Sequence, residues 1–281
     1  MKTRRILAAL LSASALCAMS AVAFAEDEPK GYVTFFADKA TIGQGLVCEP
    51  EVVPFYEGET GMDIVKRAAD VNAVDSDWGA YVEGFADTDT GAEIPAAIAA
   101  VCPEMTGRNT EGYLSSYDYT AESGWSWFLN DEYASVGISG YTPADGDVVW
   151  FRFTVYGYGC DLGIDNSSWG GNPALVEAVK TAELAKLMAE SDTDSSEYAE
   201  AVKVLGTFGV SQADIDSAYE ALAAANEQPE GNGTSDNEIG EPLPEDNTED
   251  KASADTGAEG VAVAIGAVLA AGAALVLSKK R

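Results

Sequence analysis

An apolar segment at each end of the chain leaves residues 26–255 as the part that can fold in water. At the N-terminus, a cationic stretch over residues 1–5 precedes an apolar run over residues 6–24, which closes on Ala23-Phe24-Ala25. A basic, an apolar and a small-residue segment in this order are typical of a secretory signal peptide, with an uncleaved membrane anchor as the alternative. We therefore predict that residues 1–25 are removed on export.

The C-terminal segment, residues 253–281, places Ser253-Ala-Asp-Thr-Gly257 before an apolar run over residues 261–277 and a basic tail. An apolar run of this length is at the short limit for a transmembrane helix, and the cationic tail favours the cytoplasmic side. The order of parts resembles the sorting signal of Gram-positive wall proteins, although the first two residues depart from the usual Leu-Pro-x-Thr-Gly. The resemblance implies that a sortase cleaves between Thr256 and Gly257 and joins Thr256 to peptidoglycan; a plain membrane anchor is the alternative.

The charge of the mature chain excludes several partners. The full chain has 16 Lys and Arg against 47 Asp and Glu. Removing six cations and one acid with the two ends leaves 10 and 46, a net charge of −36. Such a surface repels nucleic acid and anionic lipid, so we expect neither as a partner.

The absence of histidine from all 281 residues restricts the catalytic and metal-binding sites that the protein can have. It excludes Ser-His-Asp and Cys-His nucleophiles and His-ligated zinc. A carboxylate pair, as in glycoside hydrolases, would remain, but no pair stands out among so many acids. The acidic stretch from Asp87 to Glu93 has only about half the ligands of a calcium loop. We predict that the protein is not an enzyme and holds no metal or cofactor.

Composition divides the mature chain into three regions. Residues 26–171 carry nearly all the aromatic side chains, residues 172–226 are rich in alanine, and residues 227–255 are rich in Pro, Gly, Asn, Asp and Glu. The last region has too little apolar surface to fold and is predicted to be a disordered linker that spans the wall.

The first region is predicted to be an α+β domain with a β-grasp-like mixed sheet and one packed helix. Tyr32–Phe36 and Val52–Tyr56 are strand-like, and Thr60-Gly-Met-Asp63 is a capping-box start of a helix. Val148–Val155 is apolar on both faces apart from Arg152 and Thr154, which predicts a central strand covered on both sides.

A family resemblance covers roughly residues 50–163 and is most specific from Tyr113 onward. It rests on Tyr117-Asp-Tyr119, Ser123-Gly-Trp125, Phe128-Leu-Asn130, Val136-Gly137, Tyr141, Asp145-Gly-Asp-Val-Val149 and Asp161-Leu-Gly163. These residues look like a bacterial domain family of unknown function, which is similar to the C-terminal β-domain of transcobalamin and intrinsic factor. The resemblance implies a small mixed-sheet module on secreted or wall-attached proteins and supplies no catalytic residue. Because the chain lacks the large helical barrel of transcobalamin-like proteins, we predict cobalamin binding no tighter than about micromolar.

The second region is predicted to be a small three-helix bundle. Asn172-Pro173 has the pattern of an N-cap and first-turn proline, and apolar positions from Leu175 to Met188 follow at helical spacing. Two further helices are predicted near Ser196 and after Ser211. The region resembles three-helix spacer repeats of bacterial surface proteins.

Two sets of side chains are candidates for sites. Most rings of one aromatic set are expected in the core, and the alternative is an exposed ligand platform. The candidate platform residues are Trp125, Trp127, Tyr133 and Tyr141, and the set also contains Trp150, Tyr156 and Tyr158. In a β-grasp-like sheet the first and last strands are parallel neighbours. Cys48 and Cys160 follow those strands, so we predict a disulfide between them, with Cys102 as the odd thiol.

These observations predict a wall-anchored surface protein of a Gram-positive bacterium. Its partners would be sortase and peptidoglycan during anchoring, and then a small molecule, a glycan or another surface protein bound without catalysis. The alternatives are a purely structural scaffold, part of a cobalamin or small-molecule capture system, and a carboxylate hydrolase.

Overall fold

The structure is a computed structural model that describes residues 28–227 apart from positions 78 and 110. These residues belong to one compact unit and form an α+β fold, which confirms the predicted fold class. The predicted signal peptide, linker, sorting signal and membrane segment lie outside the described residues, except that the last helix extends to the first linker residue. None of the helices that the structure describes is both long and apolar enough to cross a membrane.

Eight strands occur among the described residues. They are β1 (Gly31–Asp38), β2 (Leu46–Phe55), β3 (Val71–Val74), β4 (Tyr81–Ala86), β5 (Tyr113–Ser115), β6 (Gly124–Leu129), β7 (Glu132–Tyr133) and β8 (Val148–Thr154). Five strands form a mixed sheet in the order β2-β1-β8-β6-β7, and three form a second sheet in the order β3-β4-β5. The first and last strands, β1 and β8, are parallel neighbours, as expected for a β-grasp-like sheet.

Five α-helices accompany the sheets in the described part of the chain. They are α1 (Gly61–Ala68), α2 (Ala96–Val101), α3 (Ala182–Ala189), α4 (Ser196–Leu205) and α5 (Gln212–Glu227). Helix α1 begins at the predicted capping box, where the Thr60 backbone N–H donates to Asp63 Oδ2 at 2.8 Å. Its buried side chains pack against one face of the five-stranded sheet.

Strand β8 is covered on both faces, as its apolar sequence predicts. Val149 and Phe151 pack with β1, β2, α1 and β4, whereas Val148 and Trp150 pack with α3, α4 and α5. On the second face, the Arg152 guanidinium lies 3.1 Å from the buried carboxylate of Asp38. Because both faces of β8 are buried, this strand fixes the positions of β1 and β6, which pair with it on either side.

The helical region differs from the predicted independent spacer. Helices α3, α4 and α5 share one hydrophobic core with Phe36 of β1, Phe128 of β6 and Trp150 of β8. They therefore form the second layer of the domain. The physical reason lies in their sequence: each helix offers one apolar stripe, and the large aromatics on the sheet need cover.

The predicted helix start at Asn172-Pro173 is wrong, because α3 begins only at Ala182. Asp131, in the turn between β6 and β7, accepts hydrogen bonds from the backbone N–H groups of Thr181 and Ala182 at 2.7 and 2.9 Å. This side chain satisfies the first N–H groups of α3 from outside the helix. The preceding segment is held to the sheet domain instead, for example by Leu175 N–H donating to Cys160 O at 2.8 Å.

The predicted disulfide between Cys48 and Cys160 is also wrong, since Cys48, Cys102 and Cys160 are all free. Cys48 lies within β2, opposite Ala37, and β2 is on the far side of β1 from β8. Ala37 pairs in turn with Phe151 of β8, whereas Cys160 lies beyond the end of β8, in the short helix Cys160–Leu162. Cys160 Sγ instead donates to the backbone oxygens of Gly157 and Asn172, each at 3.1 Å.

Candidate ligand-binding groove

Three of the four residues of the predicted platform lie in or against the core. Trp127 and Tyr141 are buried, with rings 5.4 Å apart, and Trp125 packs half-buried against Phe85 at 4.4 Å. Trp125 and Trp127 do share one face of β6, but that face continues the core side of β8. Trp127 and Tyr141 are therefore not available to a ligand, whereas Trp125 is half-buried and Tyr133 is largely exposed.

Trp125 and Tyr133 of the predicted platform, together with three tyrosines outside it, line an open groove of about 240 Å³. Its walls come from the start of β4, the β5–β6 turn, β6, β7 and the turn after β8. The aromatic members are Tyr81, Tyr117, Trp125, Tyr133 and Tyr158. Tyr117 and Tyr158 are 67 % and 68 % exposed, so their rings project into solvent although the strands beside them are buried.

The two most exposed tyrosines sit on strained backbone. Tyr117 has φ +67° and Tyr158 has φ +53°, in the left-handed region that bulky side chains rarely adopt. Gly157 and Gly159 on either side of Tyr158 also have positive φ, so the whole turn is left-handed. Strain of this kind costs about 1–3 kcal/mol per residue and persists only where surrounding contacts fix it.

Two buried aspartates provide those contacts. Asp118 accepts hydrogen bonds from the N–H groups of Ser115 and Asn109 at 2.8 and 2.6 Å, which closes the turn that carries Tyr117. Asp161 accepts from the N–H groups of Val155 and Tyr156 at 2.7 and 3.2 Å, and it also binds the Thr154 hydroxyl. Thr154 Oγ1 in turn accepts from Gly159 N–H at 3.0 Å, which closes the Tyr158 turn.

Burial controls the protonation of Asp161. It raises the pKa of this carboxyl to about 6, while the hydrogen bonds from Thr154 and Val155 act in the opposite direction. The Tyr158 turn thus depends on a carboxyl group that titrates near neutral pH.

The electrostatic character of the groove is negative. Glu122 is the one charged residue of its lining, and no lysine or arginine belongs to it. Glu122 Oε2 accepts from Gly157 N–H at 2.8 Å, so the carboxylate is held beside the Tyr158 turn. At the other wall, burial and the neighbouring Glu83 carboxylate raise the pKa of the Tyr81 hydroxyl. The site therefore combines aromatic ring faces with negative charge.

The acidic stretch considered as a half calcium loop is neutralised within the protein. Lys39 Nζ lies 2.6 Å from Asp87 Oδ1, and Arg108 binds the other oxygen of Asp87. Asp89 accepts from Gln44 Nε2 at 2.8 Å and from Gly91 N–H at 3.0 Å. No cluster of three metal-ligating side chains occurs among the described residues.

Sequence reasoning missed Tyr81 and Tyr117 as groove residues, and it gave Tyr158 only as part of the larger aromatic set. For two of these residues, the neighbouring sequence indicates an exposed position. Tyr117 precedes Asp118 in a turn, and Tyr158 stands between two glycines, so each ring lies where the chain reverses direction. Nothing in the local sequence of Tyr81 indicates its exposure.

Comparison with known proteins identifies one segment. Residues 109–155 match the family model described as "Domain of unknown function (DUF4430)". No curated protein matches the chain. DUF4430 is the transcobalamin-like domain family, so this match agrees with the resemblance stated from the sequence. The matched residues run from just before β5 to the end of β8, and they include Tyr117, Glu122, Trp125 and Tyr133 of the groove.

Proposed function

We propose that the protein is a non-catalytic binding module displayed on the cell wall, and that the tyrosine groove is its binding site. The observation that carries the proposal is the concentration of exposed aromatic side chains. Seven large aromatic residues of the described chain are exposed, namely Tyr32, Tyr81, Tyr117, Tyr133, Tyr158, Trp169 and Tyr219. Four of the seven line this one groove.

A fifth exposed aromatic residue lies on a loop that is attached to the Tyr158 turn. Trp169 is 89 % exposed and lies on the loop that follows Asn166. Asn166 Nδ2 donates to Gly157 O at 2.8 Å, so this loop is attached to the Tyr158 turn. Exposed aromatic surface gathered in one place is characteristic of recognition sites, because Tyr and Trp combine a large apolar face with a polar edge.

The groove favours binding over catalysis. Glycoside hydrolysis without histidine needs two carboxyl groups that face each other across a cleft. This groove has Glu122 alone among its lining residues, and a backbone N–H already occupies one of its oxygens. Its tyrosines have no cationic neighbour in the lining that would activate a phenolate.

Wall display is proposed from the two ends of the sequence. The signal-peptide pattern ending at Ala25 and the sorting pattern around Thr256 together indicate export followed by covalent anchoring. Muramidase digestion of intact cells should release the protein with peptidoglycan fragments on Thr256. Full-length chain in the detergent-soluble membrane fraction, with its Lys-Lys-Arg tail intact, would contradict anchoring.

The binding role is tested by a ligand screen on the mature chain, residues 26–256. Peptides, oligosaccharides and small molecules are added, and the melting temperature is recorded, since a ligand selective for the native state raises it. The matched control is the double variant Tyr117→Ala/Tyr158→Ala. We expect at least one ligand that stabilises the unmodified protein and has a markedly smaller effect on the variant. Equal stabilisation of both proteins, or no ligand in any class, contradicts the proposal.

A further inference from the structure

We infer that the groove binds an extended, basic peptide segment of a partner protein. The inference rests on the proposed function and specifies the chemistry of its ligand. It follows from three properties of the groove: the sign of its charge, its shape, and the kind of contact that tyrosine rings make.

The charge of the protein favours a positively charged ligand. The mature chain carries a net charge of −36, and the groove contributes Glu122 with no basic residue in its lining. Seven cations of the described residues already pair with the protein's own carboxylates: Lys30, Lys39, Arg67, Arg108, Arg152, Lys186 and Lys203. The surrounding field therefore attracts a positively charged partner and repels an anionic one.

The shape of the groove selects an extended chain. Its volume of about 240 Å³ is below the roughly 300–1,000 Å³ of pockets that enclose small molecules. The groove is open and crosses five structural elements, from Tyr81 on β4 to Tyr158 beyond β8. A peptide backbone lying along this path would meet successive rings.

The contacts that tyrosine rings offer suit lysine and arginine. A cation over an aromatic face is attracted by the ring quadrupole, and the attraction is available to any basic side chain that reaches the ring. The protein already uses this contact internally: the Arg67 guanidinium lies 5.2 Å from the Tyr56 ring centroid, and that of Arg152 lies 4.0 Å from the Trp150 ring. In the groove the rings of Tyr117 and Tyr158 have no such internal partner among the described contacts and are exposed.

The test is a fluorescence-anisotropy titration of the mature chain with a labelled peptide that contains six lysines separated by Gly and Ser. Tyr117→Ala and Tyr158→Ala should each weaken binding by about 3- to 5-fold. Glu122→Gln, which keeps an oxygen acceptor for Gly157 N–H, should weaken it by about 3-fold. The matched controls, Tyr219→Ala and Glu220→Gln on α5, should leave binding within experimental error.

Each other result overturns the inference. Equal weakening by the groove and control variants would mean non-specific attraction to an acidic surface. Tetramethylammonium binding as strong as that of the peptide would mean a small cation. A neutral oligosaccharide that binds through Tyr117 and Tyr158 while the peptide does not would replace the peptide as ligand and leave the proposed function standing. If neither binds, and the ligand screen also fails, both proposals fall.

A second measurement needs no variant. Trp125 belongs to the groove lining, and its indole N–H donates to Leu114 O at 2.8 Å. In the unmodified protein, the peptide should shift the NMR resonance of this indole N–H and should leave that of Trp150 unchanged. Trp150 is buried on the opposite face of the sheet. An unchanged Trp125 resonance at saturating peptide would contradict the inference even if a tyrosine variant failed to fold.

Discussion

The ion pairs of Asp87 with Lys39 and Arg108, called the Asp87 cluster below, and the tyrosine groove are two regions of one domain. They differ in whether their charged and aromatic groups have partners within the protein. In the Asp87 cluster, Lys39 and Arg108 neutralise the carboxylate inside the protein. In the groove, Tyr117 and Tyr158 are held outward by buried hydrogen bonds and remain exposed. Charged groups that pair within the protein, such as Asp87, stabilise the fold. Exposed rings without an internal partner, such as Tyr117 and Tyr158, are accessible, and we propose that a partner binds there.

The largest effect is expected in the Asp87 cluster. Asp87→Ala removes the nearest counter-charge of two nearly buried cations, the ammonium group of Lys39 and the guanidinium of Arg108, and leaves Asp89 at 3.8 Å from Arg108 Nε. We expect the free energy of unfolding to fall by about 3–5 kcal/mol, since an uncompensated buried charge is costly. Urea unfolding measures it. Asp89→Ala is the control, because this half-exposed carboxylate should contribute about 0–1 kcal/mol. Equal losses in the two variants would contradict the structural role of Asp87.

The next effect concerns pH and the support of the groove. The pKa of Asp161 is about 6 in the folded protein and 3.8 ordinarily, so the folded state binds the proton more tightly. Its contribution to stability is therefore full below about pH 3.8 and is lost as the pH rises through 6. Between pH 4 and pH 7 the native protein should lose about 2 kcal/mol of unfolding free energy relative to Asp161→Asn.

Urea unfolding of the native protein and Asp161→Asn at several pH values measures this difference. In the variant, a side-chain NH₂ group can replace an oxygen that accepts from the N–H groups of Val155 and Tyr156. Two donors would then face each other, so the variant should also be less stable than the native protein at pH 4. Asp165→Asn, four residues further on and exposed, is the control and should follow the native pH profile. Parallel profiles for native protein and Asp161→Asn would mean that Asp161 does not titrate in this range.

A smaller effect is expected at Cys48, close to the Asp87 cluster. Burial, together with the carboxylates of Glu51 and Asp87, raises the pKa of the Cys48 thiol to about 11. At pH 8 its thiolate fraction should be about a hundredfold below that of an ordinary cysteine, with reaction towards a disulfide reagent slowed accordingly. Denatured protein, kept free of reductant, should titrate three thiols per mature chain. One thiol per chain would restore the Cys48–Cys160 disulfide and contradict the structure.

The smallest effect on stability is expected in the groove itself. Tyr117→Ala and Tyr158→Ala remove rings that are about two-thirds exposed, so each should change the free energy of unfolding by no more than about 0.5 kcal/mol. Loss of binding without loss of stability is the expected signature of a recognition residue. A loss of 2 kcal/mol or more at either position would assign these rings a packing role and weaken the comparison.

The fold was predictable because its signals are local and consistent. The two-sided apolar pattern of β8 and the capping box before α1 both predicted what the structure contains. The packing of α3–α5 on the sheet was not predictable from their own sequence, because an apolar stripe indicates that a helix needs cover and does not identify the surface that provides it. The start of α3 depended on Asp131, 50 residues away along the chain.

The site was harder to predict than the fold, and the aromatic residues show why. Alternation along β6 placed Trp125 and Trp127 on one face, as the structure has them, but it could not tell whether that face is covered. Trp125 is covered by Phe85 of β4, which is distant in sequence, and Trp127 is covered by Tyr141, which lies outside the strands. The disulfide prediction failed for a similar reason. It correctly assumed that β1 and β8 are parallel neighbours, but it placed Cys48 in the segment after β1. In the structure Cys48 lies on β2, paired with Ala37 of β1.

NMR shift mapping with the basic peptide tests most directly the claim that the groove, and not the Asp87 cluster, is the binding site. On addition of the peptide to the mature chain, the largest backbone amide shifts should fall on residues 81–83, 116–126 and 154–158. Residues 87–93, whose carboxylates are already paired, should shift little. The largest shifts at residues 87–93 or along α3–α5, with the groove unchanged, would contradict the account.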